Sequence, residues 1–118
     1  MVKTAIVVLA GTESPSDTGR VVNALEAARE FAENEADELE LIFDGAGTQW
    51  IEELEDPNHK YHDLYRSVQD EAVVCDYCAS AYGVDDAVED AGVVQVDEHD
   101  GHPSIRSLVA DDYEIITF

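Results

Sequence analysis

Positively charged residues are scarce in this chain, which holds 28 Asp plus Glu but only 6 Lys plus Arg among 118 residues. Its only lysines are Lys3 and Lys60. A protein that binds nucleic acid needs a stripe of Lys or Arg to neutralise phosphates, and the chain has no such stripe. The composition therefore argues against direct nucleic-acid binding.

The chain also contains few cysteines and no long apolar run. The apolar N-terminal stretch, residues 3–9, is too short to cross a bilayer, and no cleavage-type site follows it. The two cysteines are too few for the disulfide framework of a small secreted domain. These absences predict a cytoplasmic protein in a reducing compartment, with no membrane partner.

The acidic residues give a net charge of −22 and are spread over every segment of the chain. In dilute buffer this self-repulsion destabilises the compact state. At molar salt the Debye length is about 3 Å, so the repulsion is screened. The even spread favours adaptation to a very salty, halophilic cytoplasm over a single acidic face for a basic partner.

The apolar pattern predicts one α/β domain that covers residues 1–118. Continuous apolar runs, typical of buried parallel strands, alternate with amphipathic helical segments. Strands are predicted at 3–9, 39–43, 72–74, 93–96 and 113–118, and helices at 20–33, 49–54, 61–68 and 85–91. A last helix is predicted to begin at Pro103 and to bury Ile105, Leu108 and Val109. This order predicts a doubly wound, mainly parallel five-stranded sheet with helices on both faces.

The stretch 71–84 is predicted to hold the functional centre. Cys75 stands at the carboxyl end of a buried strand, Cys78 in the first turn of the next helix, and Gly83 in the left-handed position that ends that helix. Free backbone N–H groups at a helix start favour a thiolate at Cys78. The spacing allows a disulfide, a metal half-site or two cooperating thiols, and two small buried hydrophobes are the plain structural alternative.

Open parallel sheets bind ligands at the carboxyl ends of their strands, where the strand order reverses. Two glycine-containing loops, at 11–17 and 44–48, are predicted to reach that edge beside the cysteines. The pocket candidates are Gly11, Asp17, Arg20, Asp44, Gly45, Gly47 and Thr48. Arg20 is the cation placed to steady an anion there, and simple pairing with a surface carboxylate is an equal alternative.

Several of these motifs together resemble the DsrE/DsrF-like family, small α/β sulfur-relay proteins that include TusD-type subunits. They are Asp17-x-x-Arg20 with Asn23-Ala-Leu25, Leu41-Ile-Phe-Asp-Gly-Ala-Gly-Thr48 with Trp50, Cys75-x-x-Cys78-x-x-x-Tyr-Gly-Val84, and the ending Tyr113-Glu-Ile-Ile-Thr-Phe118. The resemblance implies a flavodoxin-like sheet and a homo- or hetero-oligomer. In relay members it also implies a cysteine that carries sulfur as a persulfide between donor and acceptor proteins. Relay subunits rely on one swinging cysteine, whereas this chain has a pair.

The expected function is therefore sulfur relay or another thiol-based role, with Cys78 as carrier and Cys75 releasing the sulfur by forming a disulfide. A thiol-disulfide redox protein or sensor is an alternative, although Pro15, Pro57 and Pro103 offer no counterpart of the usual supporting cis-proline. A non-catalytic oligomeric interaction protein is another. The large rings of Trp50, Tyr61, Tyr65 and Tyr82 predict subunit interfaces, and hence a homo-oligomer.

Metal and flavin chemistry are the remaining alternatives. Zinc could take Cys75, Cys78, His99 and His102 as tetrahedral ligands. Ordinary helix and strand between the two pairs argue against this set, and no metal is expected. The segment 14–19 loosely resembles a phosphate-binding loop for flavin mononucleotide, but Glu13 and Asp17 would repel a phosphate. No cofactor is expected.

The charge balance predicts that stability rises with salt. Raising KCl from about 0.1 M to several molar should increase the free energy of unfolding, because screening removes repulsion among the carboxylates. Thermal unfolding followed by circular dichroism at several KCl concentrations measures this. A midpoint that stays constant or falls with KCl would contradict the prediction.

Overall fold

Five strands form one all-parallel sheet in the computed structural model, which describes residues 1–118. The strands are β1 (Lys3–Val8), β2 (Glu38–Phe43), β3 (Ala72–Cys75), β4 (Val94–Val96) and β5 (Glu114–Thr117). Their order across the sheet is β4-β3-β2-β1-β5, and every neighbouring pair is parallel. The predicted parallel α/β architecture is confirmed.

Six α-helices connect the strands and cover both faces of the sheet. They are α1 (Pro15–Ala32), α2 (Trp50–Glu55), α3 (His62–Arg66), α4 (Asp76–Ala81), α5 (Asp85–Ala91) and α6 (Ile105–Ala110). Short 3₁₀ helices occupy Gly45–Gln49 and Gln69–Glu71. The connections from β1 to β4 all step in one direction, so right-handed crossovers place α1 to α5 on one face. The return from β4 to β5 runs the other way and places α6 on the opposite face.

The two faces of the sheet carry two separate apolar clusters, because side chains alternate along each strand. The larger cluster packs Ile6, Val8, Leu41, Phe43 and Val74 against α1 to α5. The smaller one consists of Ala5, Val7 and Ile42, and it is joined by partly buried residues that include Val73 and Leu108 of α6. One face is therefore much more deeply covered than the other. None of the helices has the length and apolarity that a bilayer crossing requires.

Two helices begin at residues other than the predicted ones, because N-cap side chains determine where the first turn starts. The first helix begins at Pro15 instead of Arg20, because the Ser14 Oγ accepts a hydrogen bond from the Asp17 N–H (3.2 Å) and Pro15 suits the first turn. The last helix begins at Ile105, after the N-cap Ser104, and not at Pro103. The third helix is shorter than the predicted 61–68.

Two predictions about exposed and buried apolar residues were wrong. The rings of Trp50 and Tyr65, expected at subunit interfaces, are instead buried in the larger cluster, on the apolar faces of their helices. Trp50 also donates from Nε1 to the carbonyls of Ala10 and Gly11, at 3.0 and 2.9 Å. Conversely, Ile105 and Val109 of α6 are 39% and 57% exposed instead of buried, so only one side of this short helix meets the sheet.

Gly47 permits a close approach between the turn after β2 and the end of β1. A Cβ at this position would lie 2.0 Å from the carbonyl oxygen of Val8. Its φ is not in the left-handed region, whereas Gly45 has φ +53°. Gly45 therefore gives this turn its positive φ, and Gly47 is needed for its missing side chain.

Replacing Gly47 should therefore be costly. Gly47→Ala is expected to lower the free energy of unfolding by at least about 2 kcal/mol, because the new methyl group overlaps a backbone carbonyl of a central strand. Gly19→Ala is the matched control: Gly19 lies in α1 with open space around it, and alanine there should stabilise by about 0.5–1 kcal/mol. Urea unfolding in molar KCl measures both. Equal stabilities of the two variants would contradict this account.

Candidate functional site

The ends of three strands bring the functional side chains to one edge of the sheet. Phe43 of β2 is in register with Val74 of β3, and Cys75 is in register with Val96 of β4. Asp44, which follows β2, is therefore close to Cys75, which ends β3. The segment that follows β4 begins at the same edge.

A tight hairpin after β4 carries His102 back toward the cysteines. His99 and His102 exchange two backbone hydrogen bonds, at 2.9 and 2.8 Å. Between them Asp100 and Gly101 have φ of 50° and 86°, the two positive values of a type I′ turn, which Asp-Gly favours. The Tyr77 N–H donates to the Gly101 carbonyl (2.8 Å), and the rings of Tyr77 and His102 lie 4.8 Å apart. The hairpin is thus docked on the first turn of α4.

Four metal-ligand-type side chains converge at this edge, and we refer to them as the donor cluster: Asp44, Cys75, Cys78 and His102. Their ligand atoms all lie within 4.8 Å of one another. The Cys75 Sγ is 3.3 Å from the His102 Nδ1 and 3.8 Å from the Gly101 carbonyl oxygen. It also accepts a hydrogen bond from the Cys78 N–H at 3.4 Å.

The two thiols differ in their surroundings. Cys75 is completely buried, whereas Cys78 is partly exposed. Burial raises the pKa of the Cys75 thiol to about 12, and the hydrogen bond from the Cys78 N–H opposes this rise. The Cys78 thiol and the Asp44 carboxylate add to it. Cys75 is therefore a protonated, enclosed thiol, and Cys78 is the one that an external molecule reaches.

Three of the remaining pocket candidates lie at a separate cavity. Gly11, Asp17 and Arg20 line a cavity of about 550 Å³ that is also bordered by Thr117 and Phe118. It opens between β1 and β5, where the strand order reverses, and neither cysteine lines it. Arg20 is exposed at its rim.

The turn after β2 contributes Asp44 to the donor cluster. The other pocket candidates in this turn, Gly45, Gly47 and Thr48, stabilise the turn. Thr48 is buried, and its Oγ1 donates to the Gly45 carbonyl at 2.9 Å. Gly45 and Gly47 shape the turn as described above. Of the two loops predicted beside the cysteines, the one at 44–48 reaches them through Asp44, whereas the one at 11–17 borders a separate cavity between β1 and β5.

The four zinc ligands considered from the sequence are only partly brought together. His102 joins both cysteines, but His99 lies outside the donor cluster, with its side chain 75% exposed and 3.9 Å from the Asp100 carboxylate. Asp44 supplies the fourth donor instead. The sequence reasoning missed the docking role of Tyr77 and Gly101. The Asp100-Gly101 dipeptide between two histidines was the available signal, because it marks a hairpin that returns the chain.

Comparison with known proteins gives consistent results for sequence and structure. The profile of the DsrE/DsrF-like family matches residues 5–118. The chain is 29% identical over 96 residues to the uncharacterized protein MJ0733 of Methanocaldococcus jannaschii, which covers 81% of this chain and 78% of the relative. The structure of a conserved protein of unknown function from Bacteroides thetaiotaomicron, BT1422, superposes with a TM-score of 0.67. That superposition covers 97% of this chain and 94% of the other at 12% identity, so it shows the shared fold.

The different surroundings of the thiols predict different reactivities. Cys78, measured in Cys75→Ser, should react with iodoacetamide at least about tenfold faster than Cys75, measured in Cys78→Ser, because Cys75 is buried and its pKa is raised. The rate at Cys75 should still rise about tenfold per pH unit between about pH 7 and pH 9, since its thiolate fraction is far from saturation. Intact mass spectrometry follows both reactions.

Denatured samples of the same variants are the control and should react at equal rates. Faster labelling of Cys75 than of Cys78 would contradict the prediction. A rate at Cys75 that levels off below about pH 9 would contradict the raised pKa.

Proposed function

The chain belongs to the DsrE/DsrF-like family, and from this premise we propose that it carries sulfur as a persulfide on Cys78 and passes it to an acceptor protein. The observation that supports this most directly is the pairing of a reachable thiol with an enclosed one in the donor cluster. A relay needs one sulfur that meets a partner, and a neighbouring group that acts on the carried sulfur. Cys78 and Cys75 suit these two roles.

Loading is a transfer of a sulfane sulfur between thiolates. The Cys78 thiolate attacks the outer sulfur of a donor persulfide, a new S–S bond forms on Cys78, and the donor leaves as a thiolate. Delivery repeats the step with an acceptor thiolate as the attacking group. Neither step needs an external oxidant or reductant, because each S–S bond that breaks is replaced by another.

Cys75 offers a second way to discharge the persulfide. Its thiol can lose a proton to His102 Nδ1, 3.3 Å away, and attack the Cys78 sulfur. This forms the Cys75–Cys78 disulfide and releases the carried sulfur as sulfide. An external dithiol must then reduce the disulfide before the next cycle. The raised pKa of Cys75 keeps this branch slow, so the persulfide lasts long enough to meet an acceptor.

The proposed partners are sulfur donor and acceptor proteins and further copies of this chain, in a salt-rich cytoplasm. The sheet face covered by α6 alone supports self-association. Val94 on this face is 61% exposed and in register with the partly buried Val73. Ile105 and Val109, on the helix α6 that covers this face, are exposed as well. Exposed Tyr77 and Tyr82 flank the thiol at Cys78, which suits docking of a partner.

Sulfur loading can be tested directly by mass. The reduced protein in molar KCl is treated with glutathione persulfide, and its intact mass is recorded. We expect a gain of one sulfur atom per chain in the wild type and in Cys75→Ser, and no gain in Cys78→Ser. The adduct should persist longer in Cys75→Ser, because the internal thiol that discharges it is gone.

His99→Ala is the matched control, since it changes an exposed histidine of the same hairpin and should load like the wild type. Loading of Cys78→Ser but not of Cys75→Ser would reverse the proposed roles. The absence of an adduct on every variant would reject sulfur carriage. A loss of two hydrogens in the wild type, together with no adduct on Cys75→Ser, would favour a thiol-disulfide redox function, because the discharge branch requires the adduct to form first.

A further inference from the structure

The donor cluster combines ligand types that protein zinc sites use: two cysteine sulfurs, one imidazole nitrogen and one carboxylate oxygen. We propose that it binds one Zn²⁺ ion. The proposal shares its cysteines with the sulfur relay but does not depend on it. The set also differs from the one the sequence suggested, because the carboxylate after β2 takes the place of His99.

The spacing of the donor atoms suits tetrahedral coordination. Bonds of about 2.3 Å to sulfur and about 2.0 Å to nitrogen, at tetrahedral angles, place the two ligand atoms about 3.5 Å apart. The Cys75 Sγ and His102 Nδ1 are 3.3 Å apart. Two sulfurs on one Zn²⁺ lie about 3.8 Å apart, and the four ligand atoms of the donor cluster all lie within 4.8 Å of one another. Side-chain movements of about 1 Å would therefore close the site.

Backbone contacts hold the ligands in place before any ion arrives. The Asp44 Oδ1 accepts a hydrogen bond from the Gly45 N–H at 2.8 Å, which orients the carboxylate and leaves Oδ2 for a cation. His102 is held by the reciprocal backbone bonds of its hairpin and by the Tyr77 ring. The hydrogen bond from the Cys78 N–H holds the Cys75 Sγ against the first turn of α4, the turn that also carries Cys78. In protein metal sites, such contacts orient the ligand side chains around the ion.

The charge and proton balance of binding is simple. Zn²⁺ displaces one proton from each thiol, and with the Asp44 carboxylate the site then carries a net charge of −1. Nothing is oxidised or reduced. The surface acids of this protein attract cations as well, but exposed carboxylates favour hard ions such as Mg²⁺ and Ca²⁺, whereas thiolates select Zn²⁺. An excess of Mg²⁺ therefore separates the two kinds of binding.

Cobalt titration tests the proposal, because Co²⁺ takes zinc-type tetrahedral sites and reports its ligands by colour. The reduced, chelator-treated protein in molar KCl with excess Mg²⁺ is titrated with Co²⁺ alone. We expect a thiolate-to-cobalt charge-transfer band and strong visible bands that saturate at one Co²⁺ per chain. Zn²⁺ should abolish both. The absence of a charge-transfer band would overturn the proposal.

Variants show whether all four ligands take part. Cys75→Ser and Cys78→Ser should weaken the charge-transfer band, and His102→Ala should lower Co²⁺ affinity by more than about tenfold. Asp44→Asn, which keeps the shape of the side chain, should also lower it and guards against a folding defect. His99→Ala is the matched control and should bind like the wild type. Unchanged affinity in either His102→Ala or Asp44→Asn would overturn the four-ligand site.

The cobalt titration and the persulfide loading experiment test separate proposals, so either proposal can fail while the other holds. Cobalt binding requires no sulfur donor, and persulfide formation is measured without metal. Saturating Zn²⁺ should also block loading by glutathione persulfide, because it holds the same two sulfurs. Full loading of Cys78 in the presence of bound Zn²⁺ would contradict coordination by that cysteine.

Discussion

The parallel register of β2, β3 and β4 is the constraint on which the rest of the site depends. It sets Phe43 beside Val74 and Cys75 beside Val96, so that three chain segments leave the sheet at the same level. Asp44 and Cys75 meet because each stands at the end of its strand. The Asp-Gly hairpin then needs only a few residues to bring His102 over Cys75. A register slip of one residue would turn Cys75 to the opposite face.

The site concentrates negative charge in a protein that already carries −22. Two thiolates beside Asp44 would repel one another in a partly buried place, where salt screens little. The structure offers two ways to relieve this: protons, as the raised pKa of Cys75 indicates, or a cation. Of the two proposed functions, sulfur carriage would use the protonated form of Cys75, and zinc binding would use both cysteines as thiolates.

Much of this arrangement could be predicted from local patterns. The apolar runs identified all five strands, and the position of Cys75 at a strand end and Cys78 in a first turn are confirmed. Asp44 was a pocket candidate, and His102 was considered only together with His99. The sequence could not separate these histidines, because their roles depend on a turn that points one side chain toward Cys75 and the other to solvent. The spacing of apolar residues puts Trp50 and Tyr65 on the apolar faces of their helices, but a ring there suits a core or an interface alike, and only the structure showed that both are buried.

By itself the sequence determined the order of strands and helices, the family and the strongly acidic surface. These properties depend on composition and on apolar patterns that repeat every few residues, so neighbouring positions in the chain are enough to reveal them. Only the tertiary structure decided which loops share a site. The Gly11–Arg20 region opens between β1 and β5, whereas Asp44 and His102 reach the cysteines from β2 and β4. Such proximity depends on strand order and register, which join residues far apart in the chain, and no local pattern records it.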